Sequence, residues 1–508
     1  MRYLTTLPKS LMALGSGLGL AALLPAAQAF AAATINKGDT SWMLTATALV
    51  VLMTIPGLAL FYGGLVRSKN VLSVLMQVMI CFCLIAVLWV TYGYSLAFTN
   101  GNGFIGGFSK LFLSGVNIST MAATFSKETY IPEFAFVIFQ LTFAAITPAL
   151  IVGAFAERMK FSAVVLFLVI WFTFSYLPMA HMVWWWAGPD AYTLSAANID
   201  AVKAAVGDSA AADFLAKLAA AATDADKASV LSAYNDAVNT SNGWLFNKGA
   251  IDFAGGSVVH INAGIAGLVC ALMLGKRVGL GKEAMAPHNL TVTLLGTGLL
   301  LFGWFGFNAG SNLEANGLTA LALLNSILGA AGAMLTWTLG EKLIRGHASL
   351  LGGASGLVAG LVAITPACGW VGPMAAIVIG AAAGIICLFA VIWLKAKLGY
   401  DDALDVFGVH GVGGILGALL TGVFVDVGKG GMGVTNYLAA DTSTSLVEYS
   451  FGGQMTAQIY SIVTAIVLSA VVSFVALLIC KYTVGLRVDE QSEREGLDIS
   501  SHGERAYS

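Results

Sequence analysis

A chain whose apolar residues fall in long unbroken runs has few ways to fold. Eleven such runs lie near 41–66, 71–98, 131–155, 161–185, 252–274, 289–311, 317–340, 349–366, 372–394, 405–425 and 455–480 of the 508 residues. Each approaches or exceeds the roughly 20 residues a helix needs to cross a bilayer. Backbone in hydrocarbon must satisfy its own hydrogen bonds, and runs of this length do so as helices. Hydrophobic residues make up 58% of the chain and charged residues 10%, far from soluble proportions. The 59 glycines, Gly356 and Gly360 among them, suit close packing of such helices. The expected fold is an all-α polytopic membrane protein with eleven transmembrane helices.

Charge placement orients it. With the first span starting outside, fifteen Lys and Arg fall on inward-facing segments and eight on outward-facing ones, four of the eight in one long loop. The amino terminus is therefore expected outside and the carboxy terminus in the cytoplasm of a bacterial plasma (inner) membrane. The net charge of −2 gives nucleic acid no bulk attraction. Arg2 and Lys9 precede an apolar stretch ending in Ala27-Gln28-Ala29, which reads as a removable signal peptide over 1–29, with an uncleaved extra span as the alternative. The membrane domain then covers 30–483. Residues 187–250 form an extracytoplasmic insertion with the pattern of one or two short amphipathic helices, expected as a solvated cap. Residues 484–508 are a charged cytoplasmic tail whose Gly-Leu-Asp and Ser-His-Gly groups suggest docking. The six cysteines read as small buried hydrophobes.

Ionisable residues within such spans require a reason. In "DFAGGSVVHINAG" (252–264), His260 lies eight residues past Asp252, roughly 12 Å along a helix. In "DDALDVFGVHGVGG" (401–414), His410 lies five residues past Asp405 and approaches the same depth from the opposite side. Two histidines at mirrored depths suggest an inverted repeat, spans one to five against six to ten, with the eleventh extra. A shared pathway is favoured over two separately satisfied core histidines. Asp252 is too far along its helix to complete a metal site with His260, and no nucleophile–base pair suggests an enzyme. Phe139 and Phe143 lie four apart on the third span. Trp184 ends the fourth, and Trp304, Phe307, Asn308 and Ser311 end the sixth. Alone these are packing or interfacial aromatics; with a hydroxyl and an acid at the same level they suit a small cation.

Several long motifs fall in order: "GLALFYGGLVRSKNVLSVLMQ" (57–77), "LIVGAFAERMKFSA" (150–163), "SYLPMAHMVW" (175–184), "DFAGGSVVHINAG", "GWFGFNAGS" (303–311), "SLLGGASGLVAGLVAITPACG" (349–369) and "DVFGVHGVGG" (405–414). Together they resemble the Amt/Mep/Rh ammonium transporter family, its bacterial Amt branch in particular, over nearly the whole chain outside 187–250. The resemblance implies a homotrimer with one pore per subunit and no cofactor. It implies an outer site for ammonium and methylammonium at Trp184, Ser311, Phe139 and Phe143, supported by Asp252. It further implies a gate of Phe143 over Phe307, pore histidines His260 and His410, and a PII-type nitrogen regulatory protein meeting the tail. The expected function is ammonium/ammonia transport by cation recruitment, deprotonation and passage through the twin-histidine pore; an ammonium sensor signalling through the tail is the alternative. Two departures from the family stand out: the long insertion after Trp184, and the run Trp184-Trp185-Trp186, which leaves open which indole lines the mouth.

Overall fold

The computed structural model describes residues 34–439 and 445–507, so the expected signal at 1–29 lies outside the described residues. Among the described residues, ten helices are long and apolar enough to cross a membrane: Lys37–Leu65, Ser68–Phe98, Glu133–Phe155, Phe161–Trp184, Gly256–Leu274, Leu290–Gly310, Gly317–Arg345, Pro373–Leu398, Phe407–Phe424 and Phe451–Thr483. A shorter apolar helix, Leu350–Ile364, sits between the seventh and eighth of these and completes the eleven in sequence order, here spans 1 to 11. Its 15 residues rise only about 22 Å. It is buried from Gly352 to Ile364 but for a few partly buried positions, while Leu350 at its start is exposed. Short strands occur only at the edges among the described residues: Thr129–Pro132 pairs with Thr34–Ile35 and with Met121–Ala123.

The packing repeats itself. Span 1 lies on span 6 and span 5 on span 10. Spans 1 and 3 pack together as 6 and 8 do, 2 and 4 as 7 and 9 do, and 3 and 5 as 8 and 10 do. This is the five-plus-five arrangement expected from the mirrored histidines, with span 11 laid across spans 4, 5 and 10. With eleven crossings, the insertion and the tail lie on opposite faces.

The insertion holds more helix than its sequence suggests: Ile199–Val206, Asp208–Ala220, Asp224–Ser241 and Trp244–Asn247. Thr223 and Asp226 form a capping box on the third of these. Ala191, Val202, Ala205, Ala211, Tyr234 and Val238 give the insertion a small core of its own. On the other face the tail folds back as two short helices, Glu490–Glu495 and Leu497–His502. Asp498 Oδ1 accepts the Ser73 N–H at 2.8 Å, capping the start of span 2, and the Leu497 N–H donates to Asn70 Oδ1 at 2.8 Å. Glu493 accepts from Val278 N at 2.6 Å and pairs with Arg487 at 2.7 Å, which fastens the tail to the loop between spans 5 and 6.

Candidate functional site

On the insertion face a vestibule of about 1180 Å³ opens between the spans. Trp184, the last residue of span 4, stands in it, and its indole N–H donates to the Asp252 main-chain carbonyl at 2.9 Å. This is the indole that meets Phe143, edge to face at 5.8 Å. Trp185 instead donates to Ser241 O in the insertion, and Trp186 stacks on Phe125 and Phe246. Ser311 lies on the wall with its hydroxyl donating to Phe307 O at 2.8 Å, which leaves the oxygen free to accept. Tyr192, Lys203, Asp208 and Phe246 also line the cavity, so the insertion roofs the vestibule and is more than a solvated cap.

Two expected site residues sit differently. Phe139 is fully buried behind Phe143, their rings 5.1 Å apart, and its neighbour Gln140 reaches the wall instead. The Asp252 carboxylate is turned into the helix that follows. It accepts from Gly255 N (2.9 Å), Gly256 N (2.5 Å), Ser257 N (2.8 Å), Ser257 Oγ (2.6 Å) and Val258 N (3.2 Å). Span 5 therefore begins at Gly256, after Gly255 has turned the chain with φ 112°. Asp252 serves the mouth by starting this helix and holding Trp184 through its carbonyl, because five N–H and O–H donors already fill its oxygens.

Below the vestibule the rings of Phe143 and Phe307 stack at 4.1 Å and 14°. Phe307 is 6.1 Å from the His260 ring, which also stacks on Trp304 at 5.5 Å. Trp304 thus lies one layer deeper than the outer end of span 6 suggested. His260 and His410 meet Nδ1 to Nδ1 at 3.2 Å with rings 19° from parallel. Both lie in π-helical turns, Gly256–Ile261 and Phe407–Gly411, a wide winding frequent at functional sites. The approach depends on Gly264, where a Cβ would strike the main chain of Gly411.

His410 borders a second cavity, about 270 Å³, on the tail face. Its wall carries an ion-pair network, of which only the arginines entered the orientation expected from charge placement. Glu157 holds Arg67 at 2.8 Å and Arg277 at 3.1 Å, and Arg277 holds Asp401 at 2.9 Å. Burial would push the Glu157 carboxyl up, but Arg277 and Arg67 outweigh it and hold it below the usual range. The acid matching Asp252 is Asp402, eight residues before His410, and not Asp405, the acid that the sequence analysis set beside His410. Asp402 Oδ2 accepts the Phe407 N–H at 2.7 Å, and its Oδ1 is buried without a partner among the described residues. Burial pushes the Asp402 carboxyl up to about 6, against the opposing pull of Lys395.

Two cavities on opposite faces, joined by a file of aromatic and imidazole rings inside an inverted repeat of helices, define a multi-pass membrane transporter for a small solute. Comparison with known proteins specifies which. A model of the Ammonium Transporter Family matches residues 41–507. The chain is 43% identical over 476 residues to the ammonium transporter of Aquifex aeolicus (strain VF5), with 94% of each covered. It is 40% identical over 473 residues to the ammonium transporter of Bacillus subtilis (strain 168), covering 93% of this chain and 99% of that one. The crystal structure of Candida albicans Mep2 superposes with a TM-score of 0.70 at 31% identity, covering 90% of this chain and 88% of that one. A structure described as a sensor Amt protein gives 0.71 at 25% identity, covering 91% and 98%. The chain belongs to the Ammonium Transporter Family, and its activity is ammonium transport rather than enzymatic turnover.

Proposed function

We propose that ammonium is recruited as a cation at the vestibule, gives up its proton there to the water of the open vestibule, and passes as ammonia along the ring file to the tail-side cavity. One observation carries this reading: the unbroken sequence of contacts from Trp184 through Phe143, Phe307 and His260 to His410. The insertion face is then extracytoplasmic and the tail face cytoplasmic, in agreement with the distribution of Lys and Arg. At the mouth, the faces of Trp184 and Phe143 attract a monovalent cation with up to about 2 kcal/mol when water is excluded, and the Ser311 oxygen accepts an N–H. Phe139 backs this wall and Asp252 fixes it.

Selection follows from what ammonium can do and potassium cannot. Carrying a bare cation past the phenylalanines into a low-dielectric file costs several kcal/mol or more. Ammonia sheds most of that cost with its proton. Inside, a neutral imidazole offers one donor and one acceptor nitrogen. With one proton between the two Nδ1 atoms, the ring that donates there presents Nε2 as an acceptor, and the other presents an N–H. His260 Nε2 has no protein partner among the described residues and is available to the passing amine.

Methylammonium is a second substrate of the same mouth. The chain assembles as a homotrimer with a pore in each subunit, and the folded tail is the docking element for a PII-type regulatory protein. A sensor reading is favoured by the likeness to the structure described as a sensor Amt protein and by a tail that grips two cytoplasmic elements.

Replacing His260 by Asp tests the mechanism, since a fixed carboxylate lets a cation stay charged in the file. Currents on a solid-supported membrane, with ammonium and potassium alone and in competition, are expected to show potassium conduction or block that the wild type lacks. Wild-type discrimination retained in His260→Asp and in both single Ala variants would reduce the histidines to packing.

A further inference from the structure

The two mouths are built on one plan. Each has a carboxylate eight residues before a histidine, Asp252 before His260 and Asp402 before His410. Each carboxylate accepts the main-chain N–H five residues on, from Ser257 at 2.8 Å and from Phe407 at 2.7 Å. Three residues after each acid the backbone turns to positive φ, 112° at Gly255 and 60° at Asp405. The main-chain carbonyl of each acid accepts from a side chain near the carboxyl end of the preceding span. Trp184 Nε1 donates to Asp252 O at 2.9 Å, and Lys395 Nζ donates to Asp402 O at 2.6 Å. Lys395 therefore occupies in the second half the place that Trp184 holds in the first.

That exchange inverts the chemistry. An indole face attracts a cation, whereas an ammonium group repels one. Lys395 also neutralises Asp405, at 2.7 Å, which lines the same cavity as His410. The other carboxylates on that wall, Glu157 and Glu341, are held by Arg67 and Arg277 and by Arg345. On the insertion side Glu133 and Asp208 are paired with Lys110 and Lys203, and Lys127 also reaches the wall, but Asp252 and Glu314 line the vestibule with only neutral donors among the described residues. Those of Glu314 are Phe125 N, Ser126 N, Ser126 Oγ and Asn316 Nδ2.

We infer that Lys395 is a specificity-determining residue that makes the tail-side mouth a poor cation site, so that ammonium is captured as a cation from the insertion side alone. The inference rests on the transport reading above. Lys395 acts through Asp405, whose charge it cancels at the cavity wall; ammonia carries no charge and leaves through that cavity without penalty, so the mouth that rejects the ion still releases the product.

The test is labelled methylammonium flux, measured in each direction, in proteoliposomes whose protein faces one way. The wild type is expected to half-saturate at a concentration at least about tenfold higher from the tail side, the least that one unit charge at contact range imposes in a partly hydrated site. Lys395→Gln, which keeps a hydrogen-bond donor, is expected to bring the ratio of the two half-saturations to within about threefold of unity by exposing Asp405. Lys395→Arg is expected to preserve the wild-type ratio. Equal half-saturations in the wild type, or a Lys395→Gln ratio matching the wild type, overturns the inference. Should Lys395→Gln fail to fold, Asp405→Asn decides: stripping the counter-charge from Lys395 should raise the tail-side value further, and no change overturns the proposal. Failure of the transport reading is a separate result, the absence of saturable wild-type flux in either direction.

Discussion

Asp402 is a fully buried carboxyl at the start of span 10, accepting one main-chain N–H while its second oxygen has no partner among the described residues. Its pKa, pushed up to about 6, lies above the ordinary 3.8, so folding is favoured by the protonated form. That contribution is full below the unfolded value and is lost as pH rises through about 6. At pH 7.5 the ionised group is a burden on the order of 3 kcal/mol, about 1.4 for each unit between the two values. Asp402→Asn keeps an oxygen to accept the Phe407 N–H and carries no charge. It is expected to melt above the wild type at pH 7.5, with the gain vanishing as pH falls toward 4, read by thermal unfolding of the detergent-solubilised protein. A gain independent of pH would assign the effect to packing. The Asp252 oxygens collect five hydrogen bonds instead. The two acids share a position in the repeat and differ in how completely they are satisfied.

The spans were legible because the bilayer dictates their length. Predicted and observed ends agree within a few residues, even for the short Leu350–Ile364. Equal depths for His260 and His410 were legible for the same reason, since rise per residue converts sequence to depth. Lateral detail was not. Four-residue spacing put Phe139 beside Phe143, yet packing against Gly310 sets Phe139 behind it. The positive φ at Asp405 breaks the helix, so the matching acid lies at Asp402, a register that periodicity does not reveal. The π-turns carry no composition signal, and Glu157–Arg277 joins residues 120 positions apart. The insertion's helices were underestimated because their apolar faces are short and rich in Ala. Span 2 shows the same limit from another side. Its first turn carries no side-chain cap of its own from Asn70 and is capped by Asp498. Asp498→Ala is expected to lower stability by about 1 kcal/mol, as loss of a helix cap does, and to release the tail to protease. Unchanged melting together with an equally protected tail would contradict this role.

As a whole, the molecule is two inverted halves with an accessory structure on each face. The insertion closes on itself, since Tyr192 and Asn239 approach to 3.4 Å, so 196–238 can be replaced by a short Gly/Ser linker. Such a chain loses Lys203 and Asp208 from the vestibule wall but keeps Trp184, Phe143 and Ser311, and is expected to retain saturable methylammonium uptake with half-saturation shifted by less than about threefold, the scale of changes that leave the binding groups in place. Replacing all of 187–250 is expected to cost folding as well. It removes the Asp190 carboxylate, which holds Tyr130 at 2.5 Å, and the carbonyl of Ser241 that anchors Trp185. Loss of uptake in the shorter replacement, with folding intact, would make the roof part of the mouth. The tail has a consequence in time rather than space. Span 2 enters the membrane early in synthesis with the Ser73 N–H uncovered, and the carboxylate that covers it, Asp498, is made more than 400 residues later. Tail docking is therefore a late step of biogenesis, possible only after all eleven spans have been made. A ribosome product cut short before it carries a bare helix end on the tail face, and so displays its own incompleteness to any protease on that side.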